Sequence, residues 1–393
     1  MNGADTRMEV LSRVRRVVLK LGSSVVTNPD GLDLAVLRGI VDDVSCAINQ
    51  GKEFIIVSSG AVAAGVRRIG LAGGTRTIPQ KQAAASVGQS LLMAAYDEAF
   101  GAHGIRVGQM LLTRDDIAHR HRYLNARNTL TTLLSWGVAP IINENDTVMV
   151  EEIKLGDNDN LSALVATLAD ADLLVVLTDM EGFMDCDPRT NPDACLIPLV
   201  EELNGEVIAL AGGSSSGVGR GGMATKLAAA AKVGKSGIPM IIARGKTPHI
   251  VTRIIAGEMC GTLILPAKER LSARKHWILY NIEPEGVITV DSGAVHALVV
   301  KGKSLLPVGI TELRGHFEPG AAAVVQDRHG RRVAKGLVNY SSDELQRIAG
   351  RNTAEIDWVL GYRRNEEAIH VDNLVLFEDA GDPALLTEED RSR

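Results

Sequence analysis

Residues 154 to 182 read "KLGDNDNLSALVATLADADLLVVLTDMEG". From Leu161 to Leu168 the stretch is rich in Ala and Leu, strong helix formers. The run from Leu173 to Leu177 is apolar on both faces and short, as in a strand of a parallel sheet buried on both sides. Thr178 and Asp179 then end it with polar atoms. Helix followed by buried strand is the unit of a doubly wound α/β sheet, whose ligands lie beyond the carboxyl ends of the strands.

The same unit recurs on either side. Between residue 14 and about residue 265 the runs "RRVVLKLG", "EFIIVSSG", "IRVGQMLLT", "GVAPIINEND" and "GIPMIIARG" join "DLLVVLTD" as six buried strands separated by helical segments. The expectation is an open, mostly parallel sheet sandwiched by helices over residues 14–265. The strand ends are polar and glycine-rich ("KLGSS", "SSGAVAAG", "NENDTV", "TDMEG"), so the functional reading starts there.

At 393 residues the chain is longer than one core usually serves. Residues 266–283 read as a charged linker around a tryptophan anchor. Residues 284–362 give short strands broken by glycine turns, a small β-rich module ending in one helix. Residues 363–393 form a C-terminal tail, closing on the acidic "FEDAGDPALLTEEDRSR", expected to be mobile.

Composition excludes several functions. With 45% hydrophobic and 23% charged residues the chain is of the soluble globular kind. A net charge of −6 gives no general attraction to nucleic acid or anionic membranes. The module at 284–362 holds nine basic and nine acidic residues, so it lacks the footprint of an RNA binder. Cys46, Cys186, Cys195 and Cys260 show no C-x-x-C spacing, which argues against a zinc site or disulfide framework and for a reducing cytoplasm. The start of the chain is charged where a signal peptide needs an apolar stretch, and no run approaches membrane-spanning length. Asp116, His119 and His121 have no third or fourth ligand at suitable spacing, so no metal site is expected.

"GVGRGGMATK", residues 217–226, half-matches two nucleotide signatures. Gly217, Gly219 and Gly222 satisfy G-x-G-x-x-G, but the preceding "GEVIALAGGSSS" reads as a loop rather than a strand, and no acid follows about 20 residues on. A P-loop fails as well, since Ala229 stands where the first glycine before Gly234-Lys235-Ser236 is needed. What remains is a glycine-rich loop feeding a helix whose free N–H groups attract phosphate, with Lys226 in its first turn. Two further features point the same way. Lys20 sits in an apolar strand, costly unless its ammonium has a partner or snorkels out. Asp157, Asn158, Asp159 and Asn160 precede a helix in greater number than one N-cap requires.

Taken in order, "KLGSS", "SSGAVAAG", "INEND", "KLGDNDNLSALVA", "LLTDMEG" and "GGMATK" resemble the amino acid kinase family. The pair "INEND" and "GDNDNLSA" followed by a C-terminal PUA domain resembles its glutamate-phosphorylating branch, from about residue 14 to 362. The resemblance implies that Lys20 and Lys226 handle phosphate and that Asp159 orients them. It implies that ATP meets Lys20, Thr178, Asp179 and the segment Arg220, Gly221, Gly222, Met223, Ala224, Thr225 and Lys226. It places L-glutamate against Ser59, Asp146 and Asn158. Mg²⁺ as cofactor, feedback inhibition by L-proline in proline biosynthesis, a dimer or tetramer, and hand-off of an acyl phosphate to the next enzyme are implied likewise. One departure is Ser23, where many relatives carry threonine. The rivals are an RNA-binding or RNA-modifying PUA protein and another amino acid kinase. Aspartokinases carry ACT modules instead, and acetylglutamate kinases stop near residue 265.

Overall fold

A computed structural model describes residues 3–71, 77–148, 158–188, 191–212, 222–266, 275, 278–279, 282–362 and 365–377. The chain divides into two compact units between residues 270 and 271.

The first unit is built on a sheet of eight strands. They are β1 (Arg16–Leu21), β2 (Glu53–Ser58), β3 (Arg106–Leu112), β4 (Val138–Glu144), β5 (Leu173–Thr178), β6 (Leu199–Val200), β7 (Met240–Arg244) and β8 (Thr262–Ile264). Their spatial order is β3-β4-β2-β1-β5-β7-β8-β6. All six expected strands are present and parallel, and β1 lies between β2 and β5, with Lys20 level with Val57 and Val176. Two strands were not expected. β8 runs antiparallel to β7, and β6 pairs parallel with β8, so the sheet reverses at that edge. The edge strand β3 is only half-buried, whereas β1, β2, β5 and β7 are apolar on both faces and feed one core with Val17, Leu19, Phe54, Ile56, Val175 and Ile241.

Four helices position the polar rim: α1 (Ala61–Ile69), α2 (Ile78–Gly101), α3 (Asn158–Leu168) and α4 (Met223–Gly234). Thr77 and Gln80 close a capping box at the start of α2. Gly60, at φ +107°, makes the turn from β2 into α1, where a side chain would press on Val26 and Thr27. α1 and α2 then cross backbone to backbone. A methyl group on Gly65 would overlap the carbonyl oxygen of Ala84, and one on Gly88 would overlap that of Ala61. The segment expected as a loop before the glycine-rich stretch is instead a helix, Gly205–Gly212. Its Val, Ile, Ala and Leu sustain a turn-to-turn apolar face ahead of the glycines and serines.

The second unit carries a five-stranded sheet: β9 (Pro284–Val290), β10 (Ile310–Gly315), β11 (Ala322–Gln326), β12 (Arg332–Leu337) and β13 (Leu374–Leu376), in the order β10-β9-β11-β12-β13. β9 and β11 are parallel and the other pairs antiparallel. Three helices lie among them, Ser292–Val299, Ser342–Ile348 and Ile356–Leu360, where one was expected. β13 corrects the boundary of the tail expected from residue 363: Leu374 and Val375 are buried, and the strand pairs with β12. Three residues are too few to show a strand period among acidic neighbours. Residues 378–393, expected as mobile, lie outside the described residues, as does most of the expected linker with its tryptophan. Lys335 of β12 donates to the carbonyls of Leu279 and Ile282, so the linker's end is held to this unit. No helix among the described residues is long and apolar enough to cross a membrane.

Candidate active site

The parallel strands end on one rim, and each delivers polar atoms there. β1 brings Lys20, its fifth residue, and α3 brings Asp159 from its first turn. Lys20 Nζ donates to Asp159 Oδ1. α4 adds Lys226 from its own first turn, with Nζ 3.1 Å from Asp159 Oδ2, and Thr225 Oγ1 at 2.9 Å from the same oxygen. The side chains of Lys20, Lys226 and Asp159 are 6%, 5% and 0% exposed. Burial alone pushes the Asp159 carboxyl up. The charges of the two lysines and their hydrogen bonds outweigh it and hold the group below the usual aspartate range. The arrangement fixes two ammonium groups side by side in nearly dry surroundings, where their field is strong.

Gly22 N donates to Leu177 O at 3.1 Å, tying the ends of β1 and β5 together. At that end Thr178 Oγ1 donates to Asp179 Oδ1 at 2.9 Å. α4 begins directly after Gly222, whose backbone is extended, and among the described residues nothing lies within 4 Å of where a Cβ would stand. Its first N–H groups therefore open beside Lys226.

The β2–β4 side is neutral. Asn158 Nδ2 donates to Ser59 Oγ at 2.7 Å, Ser58 O at 2.9 Å and Asn143 Oδ1 at 3.1 Å. Because Ser58 O can only accept, the amide of Asn158 is oriented, and its Oδ1 faces away as an acceptor. Ser59 Oγ, accepting from Asn158, keeps its own proton to give. Behind them, Ser58 Oγ donates to Ser59 O at 3.1 Å and lies 2.8 Å from Tyr96 OH. The single Ser58 proton is spent on the carbonyl, so Tyr96 is the donor. Burial pushes the Tyr96 phenol far up, which keeps it protonated.

Asp146 follows β4 in a one-turn helix, Asp146–Val148, packed against α2. Burial raises its carboxyl above the usual range. Among the described residues nothing donates to it.

The family model for the amino acid kinase family matches residues 15–244, and the model for the PUA domain matches residues 286–360. A curated relative from Geobacter sulfurreducens, a glutamate 5-kinase, is 54% identical over 372 residues, covering 94% of this chain and all of the relative. Another from Pelobacter propionicus is 52% identical with the same coverage. A third, from Caldanaerobacter subterraneus subsp. tengcongensis, is 48% identical over 92% of this chain and 98% of the relative.

The chain belongs to the glutamate 5-kinase family.

As a member of the glutamate 5-kinase family it is a phosphotransferase with a C-terminal PUA domain. Of the residues singled out in the sequence, Lys20, Asp159, Thr225 and Lys226 form one cluster, and Ser59 and Asn158 form another. Thr178 and Asp179 bond to each other at the end of β5, the strand beside β1. Gly222 precedes α4, and Met223 and Ala224 open it. Arg220, Gly221 and Asp157 lie outside the described residues. Asp116 is the partner of Thr113 in a helix-capping box, and among the described residues no group of three His, Cys, Asp or Glu could hold a metal. Sequence reasoning did not single out Tyr96 or Asn143 as site residues. The only signal for Tyr96 was one tyrosine in an Ala-rich helix.

Proposed function

We propose that the chain catalyses ATP-dependent phosphorylation of the γ-carboxylate of L-glutamate. The observation that carries this reading is the convergence of two buried lysines on Asp159 beside a glycine-led helix start, with an oriented amide pocket two strands away. A glutamate side chain titrates near ~4.3, so at neutral pH the nucleophile is already ionised and no general base is needed. The obstacle is repulsion between carboxylate and phosphate, with charge spreading over the transferring and leaving oxygens. Lys20, Lys226 and the first amides of α4 are preorganised donors for that charge. Asp159 keeps both ammonium groups in place, and Thr178, Asp179 and the stretch from Gly222 to Thr225 lie along the nucleotide.

For the amino acid, Asn158 Oδ1 and the Asp146 carboxylate are acceptors suited to an ammonium, and the Ser59 hydroxyl is a donor suited to a carboxylate. L-Proline offers the same ammonium and carboxylate without a γ-carboxylate, so it would occupy the pocket without reacting, as a feedback inhibitor of proline biosynthesis. Mg²⁺ fits this rim only together with the nucleotide, because both Asp159 oxygens accept from lysine and Mg²⁺ is held largely by substrate phosphates in such sites. When bound it would neutralise charge on those phosphates. A homo-oligomer and transfer of the acyl phosphate to a following enzyme belong to the same proposal.

The test is acyl-phosphate trapping: purified protein, ATP, Mg²⁺ and hydroxylamine with glutamate, aspartate or N-acetylglutamate. Hydroxamate from glutamate is the expected result. Hydroxamate from aspartate or N-acetylglutamate but not from glutamate overturns it.

A further inference from the structure

We propose that Gln89 of α2 is a substrate-binding residue that donates a hydrogen bond to the α-carboxylate of the amino acid, and so discriminates for it. The inference rests on the glutamate reading above.

The orientation of Gln89 follows from hydrogen-bond polarity. The backbone N–H of Glu144 donates to Asn143 Oδ1 at 2.9 Å, and Asn158 Nδ2 donates to the same oxygen. A backbone N–H can only donate, so Asn143 presents oxygen there and Nδ2 at its other end. That Nδ2 donates to Gln89 Oε1 at 2.9 Å. Gln89 must therefore present its Nε2 away from Asn143, as a donor. This Nε2 is buried and, among the described residues, has no hydrogen-bond partner. A buried amide N–H left unmade costs about 1–3 kcal/mol, so it calls for a partner that the described residues do not supply.

Position identifies that partner. Gly88, the neighbour of Gln89, lies in backbone contact with Ala61, two residues after Ser59. The glycine crossing of α1 and α2 thus holds Gln89 beside the turn that carries Ser59. Asn143 belongs to β4, which is two strands from β1 and Lys20 in the sheet. The phosphoryl chemistry takes the γ-carboxylate toward Lys20, which leaves the α-carboxylate at the β2–β4 end. Two N–H or O–H donors, from Gln89 and Ser59, then face that carboxylate, and Asn158 Oδ1 and Asp146 face the ammonium beside it.

The test is glutamate binding by titration calorimetry to the whole protein and to Gln89→Glu and Gln89→Met, with steady-state kinetics alongside. Gln89→Glu keeps the acceptor for Asn143 and sets a charge against the substrate; Gln89→Met keeps the volume and removes the donor. Both are expected to weaken glutamate binding about 10- to 100-fold with KM for ATP unchanged. The defect of Gln89→Glu shrinks as pH falls, because the new carboxyl donates again once protonated, and that of Gln89→Met does not. If the wild type binds no glutamate, the glutamate reading falls and this one with it. If the wild type binds glutamate and either folded variant binds it equally well, this inference alone is overturned. A loss of kcat and of ATP affinity in equal measure, insensitive to pH in both variants, also overturns it.

Discussion

On the β1–β5 side of the rim the facing side chains are ionised and nearly waterless: two lysines on one aspartate, with a threonine hydroxyl added. On the β2–β4 side, one and two strand positions away, the contacts are amides and hydroxyls, and Asp146 at their margin is a carboxylate that burial disfavours as an ion. The first side gathers two lysines on one aspartate and offers their ammonium groups to whatever arrives. The second is neutral in itself and leaves its remaining donors and acceptors in the pattern of an amino acid. Charge at the first is suited to stabilising a reacting group, and neutral polarity at the second to recognition. Mutations should therefore divide between kcat on one side and affinity for the amino acid on the other.

The largest effect is expected on the charged side. Lys20→Ala or Lys226→Ala should lower kcat on the order of 10² to 10³-fold, with glutamate binding changed little, as for loss of a preorganised donor. Calorimetry of glutamate binding beside turnover measurements checks the division. Near-normal turnover in either variant would break the comparison.

Asp146 gives the next effect, and its sign is unusual. Its folded-state pKa is raised, so its contribution to stability is present below the ordinary aspartate range and lost as pH rises through the raised value. Binding an ammonium needs the ionised form. Glutamate affinity should thus fall as pH is lowered through a midpoint above the ordinary aspartate value. Asp146→Asn should abolish that dependence and weaken binding about 10- to 100-fold at neutral pH. Its Tm at neutral pH should be no lower than that of the wild type. A clear fall in Tm would show that the carboxylate is doing structural work.

Gly88→Ala should sharpen the link between packing and recognition. Overpacking of this kind costs about 1–3 kcal/mol, occasionally more. Because the obstructing atom is backbone at Ala61, the displacement passes to Ser59. Denaturant unfolding should report the loss, and KM for glutamate should rise more than KM for ATP. The smallest change is expected for Tyr96→Phe, which removes one buried bond to Ser58. It should cost about 1 kcal/mol, read as a shifted denaturation midpoint at unchanged slope, with kcat intact.

Much of the charged side was legible in the sequence because each member breaks a local rule: Lys20 interrupts an apolar strand, Asp159 exceeds what a helix start needs, and Lys226 follows glycines that have no loop motif to serve. The six buried strands were legible for a similar reason, as apolar runs with polar ends. β6, β8 and β13 were not, since two or three residues carry no period. The helix at 205–212 was hidden by the glycines and serines that follow it. The neutral side was half visible. Ser59 and Asn158 sat in motifs at strand or helix ends, whereas Tyr96, Gln89 and Asn143 meet only through the register of α2 against β2 and β4. Spacing along the chain does not encode that register; it comes from Gly65 and Gly88, whose role is visible only once two backbones touch.

The run of amides from Asn158 through Asn143 to Gln89 has a direction, and that direction is set by two backbone groups, the carbonyl of Ser58 at Asn158 and the peptide N–H of Glu144 at Asn143. Turning one amide over would bring oxygen against oxygen or N–H against N–H at each group it bonds to, so the three behave as a single vector. A change of pocket side chains that leaves β4 in place would still inherit that vector, and the pocket would go on presenting N–H at the same end. Redesign toward a cationic or amide-bearing substrate would have to begin in the strand.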